Sequence, residues 1–133
     1  LVAMSASFGY ELNPLALTAE ERKEIQAQTA KYRELEPLIS VGDFYRLRSP
    51  FEGRDCSWMF VLPDKSRAFA VYVRQQTAYA YRPRLKLTGL DPNARYRIDE
   101  LDAVYSGDEL MYAGLALPVL GDFEAVSFTL TRV

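Results

Sequence analysis

Carboxylates are the side chains of this sequence whose spacing comes nearest to a chemical site. Asp99, Glu100 and Asp102 lie close together, and Asp108 and Glu109 follow a few residues on. Two carboxylates can act as general acid and base, or can hold a hard cation. However, Asp108 is predicted to cap one short helical turn, and the earlier acids lie where a strand ends. The pattern therefore favours capping and solvated acids, and it lacks the D-x-D-x-D-G loop of a calcium site.

Tyrosine and arginine side chains form a second candidate site, because aromatic platforms with polar neighbours are how sandwich modules hold sugars. The residues are Tyr72, Arg74, Tyr79, Tyr81, Arg82 and Arg84. Alternating aromatic residues on a strand are more often cross-strand packing partners covered by arginine stems. Trp58, the only tryptophan, has the same two interpretations, and its apolar neighbours favour the core. We therefore favour packing over sugar binding for the whole set.

The other reactive side chains narrow the chemistry further. The chain contains no histidine, which excludes the usual general base, the usual metal ligand and any Ser-His or Cys-His pair. Any chemistry would have to use carboxylates, tyrosine, lysine or arginine. Cys56 is the only cysteine, so no disulfide can form within the chain, and we expect a reducing cytoplasm.

Composition limits the classes of partner. The 133 residues fit one domain, and 49% hydrophobic with 26% charged residues is typical of a globular protein. The formal net charge is −2, with no basic stripe, so we expect no nucleic-acid partner. The apolar runs are too short to cross a bilayer, and the initial LVAMSASFGY lacks the basic region of a secretion signal. We expect a soluble protein without a membrane partner.

One helix is predicted near the start. The segment that opens the chain has no turn or cap signal, as expected of a chain cut inside a larger structure. Thr18 and Glu21 have the spacing of a capping box, so a helix is expected from about Ala19. Its apolar face carries few large side chains, so we expect it to lie on a larger body. Pro37 is expected to end the helix or to kink it.

From Asp43 onward the hydrophobic period becomes alternating and turn signals recur at sandwich spacing. The first two strands flank a turn at 50–53, and the second, with Trp58 and Phe60 on the face opposite Met59, is the best candidate for burial on both faces. The third strand is expected to have one buried and one wet face. We predict a mainly-β fold, an antiparallel β-sandwich of Greek-key type preceded by one helix. The predicted strands are Asp43–Arg48, Cys56–Leu62, Ala68–Arg74, Arg84–Leu87, Arg95–Asp99, Val104–Tyr105, Ala116–Val119 and Ala125–Arg132.

Several motifs in combination resemble one enzyme family. They are MSASFGYELNPLALTAEER, GDFYRLRSPFEGRDCSWMFV, LKLTGLDPNARYRI and YSGDELMYAGLALP. Together they resemble the C-terminal end of bacterial glycoside hydrolase family 36 alpha-galactosidases, over nearly the whole chain. In this resemblance, residues 1–41 are similar to the last strand and helix of the catalytic barrel. Residues 42–133 are similar to the C-terminal antiparallel β-sandwich.

The resemblance implies a retaining enzyme that removes terminal alpha-linked galactose with two aspartates in its barrel. The nucleophile of that family follows a Lys-Trp motif, whereas Trp58 lies between Ser57 and Met59, and the acid/base loop is also missing. The resemblance therefore assigns no catalytic, cofactor-binding or metal-binding residue to this chain, and no cofactor. Two functions stay open. One is an accessory domain that packs on the catalytic barrel and contributes to oligomer contacts, and the other is an autonomous sugar-binding module.

Overall fold

The computed structural model of the chain describes residues 1–76, 83–118 and 120–133. Over these residues the chain is mainly β and antiparallel, with one long helix before the strands, which confirms the predicted fold class. The helix is α1, Ala19–Val41. The strands are β1 Asp43–Arg48, β2 Asp55–Val61, β3 Arg67–Arg74, β4 Arg84–Leu85, β5 Arg95–Ile98, β6 Ala103–Ser106, β7 Leu115–Ala116 and β8 Ala125–Arg132.

The helix α1 begins as predicted and ends later than expected. The Glu21 backbone N–H donates to the Thr18 hydroxyl at 3.2 Å, and the Thr18 N–H donates to the Glu21 carboxylate at 2.8 Å. Of the two outcomes predicted for Pro37, an end of the helix was wrong, because α1 continues through it to Val41, and a kink at this residue stays a prediction. Leu35 and Leu38 are both buried on the sheet. This packing on either side of Pro37 offsets the hydrogen bond that proline removes.

Two antiparallel sheets contain the described strands. The larger has the order β1-β2-β3-β8-β5-β6, and the smaller pairs β4 with β7. Strands β1, β2 and β3 form consecutive hairpins, and β8 then returns to lie between β3 and β5. A register shift between Arg46 and Arg48 interrupts the pairing of β1 with β2. Since β1 is at one end of the large sheet, its outer edge is not covered by another described strand.

The main core lies between the two sheets. Inward side chains of the large sheet meet leucines of the small sheet and of the loops beside it. The fully buried side chains of this core include Met59, Tyr72, Leu85, Tyr96, Ile98, Leu110, Phe128 and Leu130. The sandwich that the turn spacing predicts is therefore built on one broad sheet and one narrow one.

A second core lies on the opposite face of the large sheet, beneath α1. Leu35 and Leu38 of the helix pack there against Phe60, Phe69 and Val71. The expectation of one wet face for β3 was wrong, since helix and small sheet bury its two faces. Alternation alone could not reveal this, because the helix comes from a distant part of the sequence.

The position of Trp58 follows from the same geometry. Trp58 and Phe60 belong to the helix-side face and Met59 to the main core, which confirms their predicted separation. Trp58 is only half-buried, however, so β3 rather than β2 is the most deeply buried strand. The aromatic content of β2 predicted a buried strand, but β2 lies only one strand from the edge of the sheet.

A glycine is required at position 107, where two loops approach each other closely. A Cβ at Gly107 would lie 2.0 Å from the Asp91 carbonyl oxygen. The Gly107 N–H donates to the Ala94 carbonyl at 2.8 Å in the same contact. Any side chain here would therefore push the two loops apart.

Among the described residues, no helix combines the length and the apolar character that crossing a membrane would need.

Candidate functional site

The first acidic group, residues 99–102, is used to join secondary-structure elements. Asp99 and Asp102 both approach the Arg97 guanidinium, with shortest N–O distances of 3.9 and 2.9 Å. Glu100 accepts from the Thr129 backbone N–H at 2.8 Å and from its hydroxyl at 3.0 Å. Glu100 therefore covers the middle of β8 from a short 3₁₀ turn, Asp99–Leu101. These acids therefore hold neighbouring elements together.

The second acidic group is the helix cap that its sequence predicts. Asp108 accepts from the Glu109 backbone N–H at 2.8 Å, at the start of one π-helical turn, Glu109–Ala113. It also accepts a short hydrogen bond from the Ser106 hydroxyl. The Ser106 bond, followed by the Glu109 N–H bond, holds the pKa of Asp108 below its ordinary value. An ionised capping aspartate is a poor proton donor at neutral pH, so Asp108 is unsuited to the role of general acid.

A metal centre has no basis in the described part of the chain. Among residues 1–76, 83–118 and 120–133, no three acidic, histidine or cysteine side chains come together in a way that could hold a metal ion.

The described tyrosine and arginine candidates are structural. Tyr72 lies in the main core, with 1% of its surface exposed. Arg74 is buried and donates to the Leu120 carbonyl. Arg84 donates to the Ala113 and Gly114 carbonyls at 2.8 and 2.6 Å, which ties β4 to the loop before β7. The other three, Tyr79, Tyr81 and Arg82, lie outside the described residues.

A buried ion pair is the polar feature that the sequence did not reveal. Asp55 is only 7% exposed, and its Oδ2 accepts from Arg48 Nη1 at 3.0 Å and from the Tyr72 hydroxyl at 2.8 Å. Arg48 also reaches the Arg84 carbonyl at 3.3 Å. This cluster joins β1, β2, β3 and β4 at one end of the sandwich. Its only sequence signal is an aspartate at the start of an apolar strand, which is a common pattern.

A polar groove lies beside this ion pair. It has a volume of about 430 Å³ and follows the β1–β2 hairpin. Its lining comprises Leu47, Arg48, Ser49, Glu52, Gly53, Arg54 and Asp55.

An apolar groove lies on the helix-side face of the same hairpin. Its volume is about 210 Å³, and its walls include Phe44, Arg46, Phe51 and Trp58. Phe51, in the hairpin turn, is 93% exposed, and Phe44, on the edge strand, is 54% exposed. Two aromatic side chains of this hairpin, Phe44 and Phe51, are therefore exposed to solvent. A single strand pattern cannot distinguish an aromatic residue that packs inside its own domain from one that faces a partner.

The N-terminal segment reaches this face of the sheet. The Trp58 indole Nε1–H donates to the Ser5 hydroxyl at 2.7 Å. Phe8 packs against Tyr32 of α1, with ring centroids 5.2 Å apart, and the Tyr10 hydroxyl donates to the Gln28 side chain. Phe8 contacts α1 at Tyr32, and Tyr10 contacts it closer to the start of the helix, at Gln28. The N-terminal segment therefore runs antiparallel to the helix. Residues 1–5 lie at the Trp58 end.

These features define an antiparallel β-sandwich domain in which Asp55, Glu100 and Asp108 have structural partners and an aromatic groove faces outward. The sequence model of the glycosyl hydrolase family 36 C-terminal domain matches residues 55–130. The chain belongs to that family, and the matched part is its C-terminal domain.

Three relatives illustrate the similarity. The alpha-galactosidase AgaA of Geobacillus stearothermophilus is 47% identical over 99% of this chain and 18% of its own length. The alpha-galactosidase 1 of Pediococcus pentosaceus is 40% identical over 90% of this chain and 16% of its own length. The crystal structure of the alpha-galactosidase AgaB from Geobacillus stearothermophilus matches with a TM-score of 0.93 at 49% identity, over 99% of this chain and 18% of that one. The chain thus spans less than a fifth of the length of these relatives.

Proposed function

We propose that this chain is the non-catalytic C-terminal accessory part of an alpha-galactosidase that hydrolyses terminal alpha-D-galactosides with retention. The observation that carries the proposal is the structural use of the candidate carboxylates. Glu100 holds β8, Asp108 caps a helical turn, and Asp55 is buried in an ion pair. The names of the relatives support an alpha-galactosidase as the longer protein.

The chemistry of glycoside cleavage supports the same assignment. Retaining enzymes use two carboxyl groups about 5 Å apart, one as nucleophile and one as acid/base. Both must face a cleft that a sugar can enter. A catalytic barrel usually needs ~250 residues, and this chain has 133. The catalytic aspartates therefore belong to another part of the longer protein.

The proposed organisation has two parts. Residues 1–41 would be the end of the catalytic barrel and its last helix, and residues 42–133 would be the C-terminal sandwich. Phe8 and Tyr10 both contact α1, which supports placing the N-terminal segment and the helix in the same part of the longer protein. We place the longer protein in the cytoplasm, where the single, half-buried thiol of Cys56 would stay reduced.

Deletion of residues 42–133 from the longer enzyme tests this function. We expect the truncated enzyme to lose thermal stability or solubility, because deletion uncovers the surface on which the sandwich packs. It should still turn over p-nitrophenyl alpha-galactoside under conditions in which it stays folded. Turnover by the isolated 133-residue chain, abolished by Asp108→Ala or Glu109→Ala, would refute the accessory assignment.

A sugar-binding module is the second candidate, and the polar groove favours it. Arginine, serine and carboxylate side chains beside a hairpin are suitable partners for sugar hydroxyls. Isothermal titration of the chain with galactose, melibiose and raffinose tests this candidate. Binding that Ser49→Ala and Glu52→Gln weaken would support it, and absence of heat at millimolar sugar would reject it.

A further inference from the structure

We propose that the apolar groove of the β1–β2 hairpin is the docking site for the polypeptide that precedes this chain in the longer enzyme. The occupant would be an apolar surface of the catalytic part that also presents a carboxylate or backbone carbonyls. This inference rests on the accessory function proposed above and identifies the surface through which it would act.

The path of the chain locates the occupant. Ser5 lies against Trp58 through the 2.7 Å hydrogen bond, and Met4 next to it is buried. The Met4 N–H donates to the Leu1 carbonyl at 3.1 Å, so Leu1 lies within one 3₁₀ turn of the same place. Residues that precede Leu1 in the longer protein must therefore emerge beside Trp58, which is one wall of the groove.

Two aromatic side chains of the groove, Phe44 and Phe51, remain exposed to solvent. Phe44 contacts Phe60 with ring centroids 5.3 Å apart, yet more than half of its surface remains exposed. Phe51 projects from the hairpin almost fully exposed. Helix α1 covers the middle of this sheet face over Phe69 and Val71. Exposed aromatic side chains next to the point of chain entry are typical of a contact within a larger protein.

Arg46 defines the chemistry of the partner. It lies on the same sheet face as Phe44 and opposite Trp58 in the β1–β2 pairing, and it is exposed. Its guanidinium forms no ion pair with any acid in the described ranges of the chain. A guanidinium among aromatic rings binds a carboxylate or carbonyl oxygens strongly once water is excluded. The complementary surface should therefore be apolar with at least one such acceptor.

The proposal is tested by introducing Phe51→Ala into the 133-residue chain and, separately, into the longer enzyme. In the 133-residue chain the melting temperature should stay within the error of wild type, because Phe51 makes almost no contact there. In the longer enzyme, heat inactivation should be ~10-fold faster or more, because the ring would be buried at the contact. Phe44→Ala should also act more strongly in the longer enzyme than in the chain. Tyr112→Ala is the matched control, since Tyr112 is 74% exposed on the π-helical turn.

Hydrogen exchange gives an independent measurement on unmodified proteins. Amides of residues 43–54 should exchange at least ~10-fold more slowly in the longer enzyme than in the isolated chain, whereas amides near Tyr112 should not change. This docking site would be refuted if Phe51→Ala and Tyr112→Ala gave the same rate of heat inactivation in the longer enzyme and the amides of residues 43–54 exchanged at the same rate in both proteins. The accessory function would survive that outcome if deletion of 42–133 still destabilises the enzyme. Dimerisation of the isolated chain that Phe51→Ala abolishes would instead assign the groove to a second copy, and would also overturn the proposal.

Discussion

The substitution Asp55→Asn measures how much the buried ion pair stabilises the sandwich. Asparagine keeps the size of the side chain and one acceptor oxygen, but it removes the charge. Arg48 and Tyr72 both donate to the Asp55 carboxylate. Breaking a fully buried ion pair costs ~3 to 5 kcal/mol. The Arg48 side chain is about a third exposed, so solvent screens part of the interaction. We therefore expect a loss of ~2 kcal/mol in the free energy of unfolding.

Urea unfolding followed by circular dichroism is the appropriate assay. With a slope of about 1–3 kcal/mol per molar urea, the expected loss moves the midpoint down by roughly 1 M. Asp43→Asn is the matched control, because Asp43 is exposed at the start of β1 and should change stability by less than about 0.5 kcal/mol. A double-mutant cycle with Tyr72→Phe then isolates the contact between the phenol and the carboxylate. Equal midpoints for Asp55→Asn and Asp43→Asn would refute the structural importance of the pair.

Three further predictions concern other parts of the fold. Gly107→Ala should lower the melting temperature and cost ~2 kcal/mol or more, because the new Cβ would collide with the Asp91 carbonyl. Iodoacetamide should alkylate Cys56 several-fold more slowly in the folded chain than in urea at the same pH, since burial and, secondarily, the Asp55 charge raise the pKa of its thiol. Thr18→Ala should lower the helical signal at neutral pH. Two hydrogen bonds from Thr18 hold the pKa of Glu21 below its unfolded value: the backbone N–H bond, which is the larger cause and which alanine keeps, and the hydroxyl bond, which alanine removes. The contribution of the hydroxyl bond is present above the unfolded pKa and is lost as pH falls through the folded pKa. The difference between wild type and Thr18→Ala should therefore shrink in acid, and a difference independent of pH would contradict this account.

Local signals in the sequence predicted most of the secondary structure. The capping box fixed the start of α1, and Asp108 was correctly assigned as the cap of a short helical turn. Turn residues at 50–53 placed the first hairpin, between β1 and β2. These features depend on residues within a few positions of one another, so a single sequence contains the information needed to find them.

The misjudged features depend on contacts between distant residues. The helix passes Pro37 because Leu35 and Leu38 pack on the large sheet. β3 has no wet face because the same helix covers it, and Asp55 is buried because Arg48 and Tyr72 come from the two neighbouring strands. None of these contacts leaves a periodic pattern in the sequence.

The exposed aromatic residues of the hairpin link the proposed accessory function to the longer protein. Phe44 and Phe51 are 54% and 93% exposed, and isolated exposed aromatic side chains occur on many soluble domains. Their position supplies the stronger reason, because Ser5 brings the N-terminal segment to Trp58 in the same groove. Covering these rings would stabilise the catalytic part and the sandwich together, without any change at the catalytic carboxylates. An accessory domain of this kind would affect the lifetime of the enzyme rather than its chemical step, so heat inactivation and turnover should respond separately to substitutions in the groove.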